Sequence, residues 1–120
     1  DMQKKKTGQL FGFCCESIAI IKEKNSTKRN ALKEIGLNIG LLFQIVDDLI
    51  DLHGSEDHVG KATGKDAHAG KVTYPGTIGV EESKRVVQEL HDKAESSLSV
   101  LGNTAETLRS FNVWLAHRTR

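Results

Sequence analysis

The chain has little of what would point away from helices. It contains one proline, Pro75, among 120 residues. No Asn-Gly or Asp-Gly pair separates two alternating segments, and short β-branched runs such as Ile18 to Ile21 sit inside helical periodicity, so no sheet is expected. No apolar run approaches the roughly 18–20 residues that a bilayer span needs. The first six residues, Asp1 to Lys6, are charged rather than signal-like, which makes a cytoplasmic location the expectation. The two cysteines, Cys14 and Cys15, are neighbours, a poor geometry for a disulfide and not a metal-ligand spacing. They read as small, reduced residues of a helix core. The net charge of +1 supplies no global field for nucleic acid or anionic membrane, so binding has to come from local clusters. There is no internal repeat and no low-complexity tract. With 38% hydrophobic and 28% charged residues and a single proline, the composition reads as one soluble globular unit of helical character, and with no sheet signal in the pattern the expected class is all-α.

What is present centres on Phe43-Gln44-Ile45-Val46-Asp47-Asp48-Leu49-Ile50-Asp51, where three carboxylates interrupt an apolar helical segment. At about 100° per residue, Gln44, Asp47 and Asp51 fall on one narrow face. Carboxylates at i and i+4 cost a few tenths of a kcal/mol unless a cation neutralises them. Hard oxygen ligands in ones and twos suit Mg²⁺ that also holds phosphate.

The rest of the chain frames that segment. Leu10, Phe11, Cys14, Ile18 and Ile21 recur at helical spacing and predict a first helix from about Met2 to Lys22, ending in the polar stretch 23–30. A second helix starts near Ser26 or Thr27, with Ile35, Ile39, Leu42, Ile45, Val46 and Leu49 as its apolar stripe. Gly36 and Gly40 lie inside it, each costing about 1 kcal/mol, so close packing or a bound group is expected against them. From His53 to Gly70 the pattern dissolves into Gly, His, Lys and Asp, which reads as a long loop. Its His53, His58 and His68 suggest no closed Zn site. Tyr74-Pro75 marks a helix start. Glu81 and Glu82 open a longer helix to about Leu101, with Val86, Leu90, Ala94, Leu98 and Leu101 on one stripe. Asn103 with Glu106 makes a capping-box-like start for a last helix ending near Arg118.

Four ordered motifs carry a resemblance: Lys6-Thr7-Gly8; the run from Phe43 to Asp51; Gly60-Lys61 with Gly64-Lys65-Asp66; and Gly70-Lys71-Val72-Thr73-Tyr74-Pro75. In order and spacing they resemble the C-terminal half of the trans-isoprenyl diphosphate synthases, the farnesyl and geranylgeranyl diphosphate synthase-like polyprenyl synthetases. The resemblance implies an antiparallel helical bundle forming the C-terminal part of an isoprenoid synthase fold, with residues 1–120 as that portion of the domain. It implies a prenyltransferase that condenses an allylic diphosphate with isopentenyl diphosphate, uses Mg²⁺ as cofactor and works as a homodimer. Asp47, Asp48 and Asp51 match the family's second Asp-rich motif and would hold metal, the first directly and the others largely through water. Lys6 and Lys61 match lysines on the allylic diphosphate, while Thr7 and Gln44 match residues lining the developing carbocation. Arg118 and Arg120 are similar to the basic tail that closes over isopentenyl diphosphate. Lys65, Asp66 and Lys71 are further candidates for a shell around the metal-bound diphosphate.

The family's first Asp-rich motif, the Arg after it and the Gly-Lys-Arg region for isopentenyl diphosphate are absent from these 120 residues. The expectation is therefore that this piece alone binds diphosphate weakly, does not catalyse condensation and associates with a missing half or with itself. Phe13 and Ile18 stand where the family favours small residues. Two other readings are a catalytically silent subunit of the same fold, against which the retained acids and Lys61 argue, and a class I terpene cyclase. A cyclase's second metal motif mixes Asn, Ser or Thr with acids, and it lacks the Gly-Lys loop followed by Thr-Tyr-Pro.

Overall fold

The computed structural model describes residues 7–57 and 73–119. They form α1 (Gln9–Ile21), α2 (Ser26–Asp57), the short α3 (Tyr74–Ile78), α4 (Val80–Leu101) and α5 (Glu106–His117), with a 3₁₀ turn, Gly102–Ala105, between the last two. No strand occurs among the described residues. The bundle is elongated, 52 × 23 × 19 Å, because α2 alone runs 32 residues. Every other helix packs on α2, and α3 and α5 also lean on α4.

The apolar stripe expected of α2 is the core. Ile35, Ile39, Leu42, Ile45, Val46 and Leu49 are all buried, packed against Leu90, Ala94 and Leu98 of α4 and Leu115 of α5. Burial of six such side chains contributes on the order of 10 kcal/mol before the opposing chain entropy. On α4 the buried valine is Val87, and Val86 packs at the edge.

Helix α1 departs from expectation. Leu10 and Ile18, predicted to face the core, are 62% and 58% exposed, and Cys14 beside them is exposed as well. Gly8, Gly12 and Ala19 turn inward instead, with Phe11 and Cys15 half-buried. The reason is close approach. A Cβ at Gly36 would stand 2.4 Å from the Phe11 carbonyl oxygen, and one at Gly40 would stand 2.7 Å from the Gly8 Cα. The helices therefore cross backbone to backbone, and Leu10, Phe13, Ile18 and Ile20 of α1 are left outside. Both cysteines are free thiols, and burial followed by the neighbouring Cys14 pushes the Cys15 thiol above its ordinary value.

Two boundaries also differ. Helix α2 continues through His53 to Asp57 where a loop was expected, because a polar sequence is as compatible with a helix end as with a loop. Helix α5 starts at Glu106 after the 3₁₀ turn, capped by Ala105 with no side-chain bond, so Asn103 and Glu106 form no capping box. Glu106 instead pairs with Arg109 at 3.1 Å.

Candidate active site

The glycine crossing sets the site's first contact. With α1 held against Gly36 and Gly40, Thr7 arrives one turn above Gln44, and its hydroxyl donates to Gln44 Oε1 at 3.3 Å. Gln44 Nε2 in turn donates to Asp48 Oδ1, one helical turn on, at 3.2 Å. The other oxygen of Asp48 accepts from the Tyr74 backbone N–H at 3.3 Å. Asp48 is only 3% exposed and ties α2 to the first residue of α3. That first turn is well provided: Thr73 Oγ1 accepts from Gly76 N at 3.1 Å, and Pro75 has no donor to satisfy.

Asp47 and Asp51 lie on the open side of α2. The Asp47 side chain is 46% exposed, and Asp51 is exposed. Asp47 Oδ1 takes a hydrogen bond from Arg118 Nη2 at 2.6 Å, so the chain's penultimate basic residue neutralises the first acid of the motif. The Arg118 guanidinium lies 4.7 Å above the Phe43 ring and 6.0 Å from that of Trp114, with its side chain 11% exposed. Phe43 packs in turn against Phe11, ring centroids 6.0 Å apart.

A cleft of about 510 Å³ opens beside Arg118 between α2, α4 and the end of α5. Val46, Leu49 and Val87 form its floor, with His53, Lys84 and His117 among the polar lining. By helical phase its α2 residues lie opposite Gln44, Asp48 and Asp51, so the cleft does not open onto that face, although Arg118 in its wall bonds Asp47. The chemistry assigned to that face rests on its donors, not on the cleft.

The structure thus brings together Thr7, Gln44, Asp47, Asp48 and Arg118 of the residues singled out in the sequence. Lys6, Lys61, Lys65, Asp66, Lys71 and Arg120 fall outside the described residues, as do His58 and His68. No group of three His, Cys, Asp or Glu side chains able to hold one metal ion occurs among the described residues. Two exposed carboxylates one turn apart nevertheless fit Mg²⁺, which keeps several waters and shares itself between one or two carboxylates and substrate phosphates. Asp47 already takes a positive partner in Arg118. Sequence reasoning missed the Phe43 and Trp114 cradle for Arg118, for which the i, i+4 spacing of Phe43 and Asp47 was a usable signal. It also missed Asn112, wholly buried on α5, whose Nδ2 donates to Glu95 Oε1 at 3.1 Å. A polar residue between Leu108 and Leu115 at core spacing was the sign of it.

Comparison with known proteins gives this geometry its context. The family model for polyprenyl synthetase matches residues 1–108. The chain belongs to the polyprenyl synthetase family. A farnesyl diphosphate synthase of Micrococcus luteus is 32% identical over 115 residues, which are 96% of this chain and 40% of that protein. A dimethylallyltranstransferase of Fischerella ambigua is 35% identical over 114 residues, 95% of this chain and 33% of its own length. The apo crystal structure of an FPP/GFPP synthase from Zymomonas mobilis matches with TM-score 0.72 and 40% identity, covering 92% of this chain and 34% of that one. This polyprenyl synthetase chain therefore spans about a third to two fifths of the length of these relatives. Its all-α bundle is that of the isoprenoid synthase fold.

Proposed function

We propose that the protein is a Mg²⁺-dependent prenyltransferase that condenses an allylic diphosphate with isopentenyl diphosphate to give a short-chain isoprenyl diphosphate, and that these 120 residues supply one side of its cavity. The observation that carries this reading is the acidic face of α2, where Asp47 and Asp51 stand exposed one turn apart beside the Thr7 and Gln44 pair. Asp47 and Asp51 would hold the cation, with Asp48 behind them. Bound Mg²⁺ supplies Lewis-acid stabilisation of the charge that gathers on the departing diphosphate. The chain's own part is to place oxygen dipoles where positive charge grows on the allylic fragment. Gln44 Oε1 and the Thr7 hydroxyl are held there before any substrate arrives, and preorganised dipoles of this kind contribute without reorganising during the reaction. Lys6, Lys61, Arg118 and Arg120 are assigned to the two diphosphates, with Lys65, Asp66 and Lys71 around them. Arg118, already paired with an anion, is built for planar two-point recognition of phosphate.

The exposed apolar side chains of α1, Leu10, Phe13 and Ile18, support association with further protein, as in a homodimer of the full-length enzyme. No helix of the described residues is long and apolar enough to cross a membrane, and the proposed location is cytoplasmic. The test is incorporation of radiolabelled isopentenyl diphosphate into an allylic acceptor by the protein at its native length, with and without Mg²⁺. Product that depends on Mg²⁺ and falls at least a hundredfold in Asp47→Asn supports the assignment. Condensation unaffected by Asp47→Asn overturns it. The 120 residues alone are expected to give no turnover.

A further inference from the structure

Adjacent acids in a metal-binding motif invite the same role, yet here Asp47 and Asp48 face different ways. Asp47 is half exposed, whereas Asp48 is 3% exposed with each carboxylate oxygen already accepting a hydrogen bond. We infer that Asp48 is a positioning residue rather than a metal ligand: it fixes which end of the Gln44 amide faces Thr7 and pins the start of α3 to α2. The inference rests on the proposed role of Gln44 beside the reacting carbon but is decided by observations that do not need turnover.

An ionised carboxylate can only accept, and an amide group can present either a donor or an acceptor. Facing Asp48, Gln44 must turn its NH₂ toward the carboxylate, which leaves Oε1 for the opposite side, where the Thr7 hydroxyl donates to it. The negative charge of Asp48 also polarises the amide along that line, and hydrogen bonds in series reinforce one another in a poorly solvated site. Gln44 therefore offers an oxygen, not an NH₂, toward Thr7. A site that must stabilise positive charge needs that polarity, and Gln44 by itself could not select it.

The second oxygen does separate work. Tyr74 is the first residue of α3, and its N–H has no partner within the helix. Asp48 satisfies it from α2, 26 positions back in the chain, and so anchors the segment after residue 72 to the helix that bears Asp47 and Asp51.

Asp48→Asn distinguishes the two roles because it keeps size and one acceptor. The Tyr74 N–H takes the Asn oxygen, so the Asn NH₂ faces Gln44, which must flip to meet it and then points its own NH₂ at Thr7. Side-chain amide NMR of Gln44 in the metal-free chain reads this directly. In the wild type the Gln44 NH₂ protons show the downfield shift of a charge-assisted bond, and Asp48→Asn removes it. Titration with Mg²⁺ plus inorganic pyrophosphate supplies the contrast. Asp48→Asn is expected to bind within twofold of wild type, while Asp47→Asn weakens binding at least tenfold. At native length Asp48→Asn lowers kcat by about 10²-fold with KM little changed, in line with loss of one preorganised dipole. The double variant Gln44→Glu with Asp48→Asn returns an oxygen toward Thr7 and recovers most of that loss. An Asp48→Asn variant that loses as much Mg²⁺ affinity as Asp47→Asn, or a Gln44 signal indifferent to it, overturns the inference. A native-length wild type that binds Mg²⁺ but condenses nothing overturns the proposed function instead, and the Gln44 signal still decides the role of Asp48.

Discussion

Replacing Gly36 with alanine tests the crossing of α1 and α2, on which the Thr7 to Gln44 contact depends. The added Cβ meets the Phe11 carbonyl oxygen at 2.4 Å and the Gly12 Cα at 2.7 Å. Both are backbone atoms, so no rotamer change makes room, and the helices must part by about 1 Å to restore ordinary contact. Overpacking of this kind costs about 1–3 kcal/mol. Alanine gains about 1 kcal/mol over glycine in a helix interior, which offsets part of it. The backbone clash places Gly36→Ala near the upper end, for a net loss of about 1–2 kcal/mol. Gly54→Ala is the matched control, because it lies in the same helix and its added Cβ meets nothing within 4 Å. There only propensity acts, and a gain of about 0.5–1 kcal/mol is expected. The assay is thermal unfolding followed by circular dichroism, at about 4 °C per kcal/mol for a chain of this size. Gly36→Ala should melt about 4–8 °C lower and Gly54→Ala about 2–4 °C higher. Equal upward shifts in both variants would refute the backbone-to-backbone crossing.

Arg118→Met should cost about 1 kcal/mol, since the pair it breaks is half exposed at the Asp47 end, and should alter the emission of Trp114, the chain's one tryptophan. Asp47→Asn should move that emission the same way, and unchanged emission in both would mean the ion pair does not form. Iodoacetamide should modify exposed Cys14 well before half-buried Cys15, whose raised pKa leaves less thiolate, as peptide mapping of partly labelled protein would reveal. On α4, hydrogen bonding to Arg85, with its charge adding to the effect, holds the Glu82 carboxyl below its ordinary 4.5. A carboxyl more acidic folded than unfolded lends stability that is present above 4.5 and is lost as pH falls through the lower, folded value. Arg85→Ala should therefore flatten the acid side of the stability profile slightly, and 1 M salt should do much the same to wild type, since the pair is exposed; a profile insensitive to both would exclude the coupling.

How far the sequence could be read depended on what each residue had to compete with. The buried stripe of α2 was legible because six aliphatic residues kept one phase over four turns, and nothing else in the segment offered a better core. Leu10, Cys14 and Ile18 of the α1 stripe had equally good periodicity yet face outward, because the partner across from the helix is a glycine pair that admits backbone and small residues. Periodicity identifies a face; only the shape of the neighbour decides whether that face is covered. The end of α2 was misread for a related reason, since the polarity of the sequence at 53–57 does not fix backbone conformation. At the site, the types and spacing of Gln44, Asp47 and Asp51 were visible in the chain. The inward turn of Asp48 was not, because its partner is a backbone amide 26 residues away and a main-chain donor leaves no mark on composition. Arg118 was noticed for its charge, but its seat on Phe43 beside Asp47 required the last helix to be placed against α2.

The length of α2 has a mechanical consequence. One uninterrupted helix carries both the glycine crossing at Gly36 and the acid at Asp47, roughly 16 Å apart along its axis at 1.5 Å per residue. A tilt of about 5° at the crossing would swing Asp47 through roughly 1.4 Å over that arm. Displacements of about 1 Å at a reacting group can cost a hundredfold in rate. The tightness of a contact far from the acids thus acts as the bearing of a lever, and its play sets the tolerance with which the acidic face is aimed.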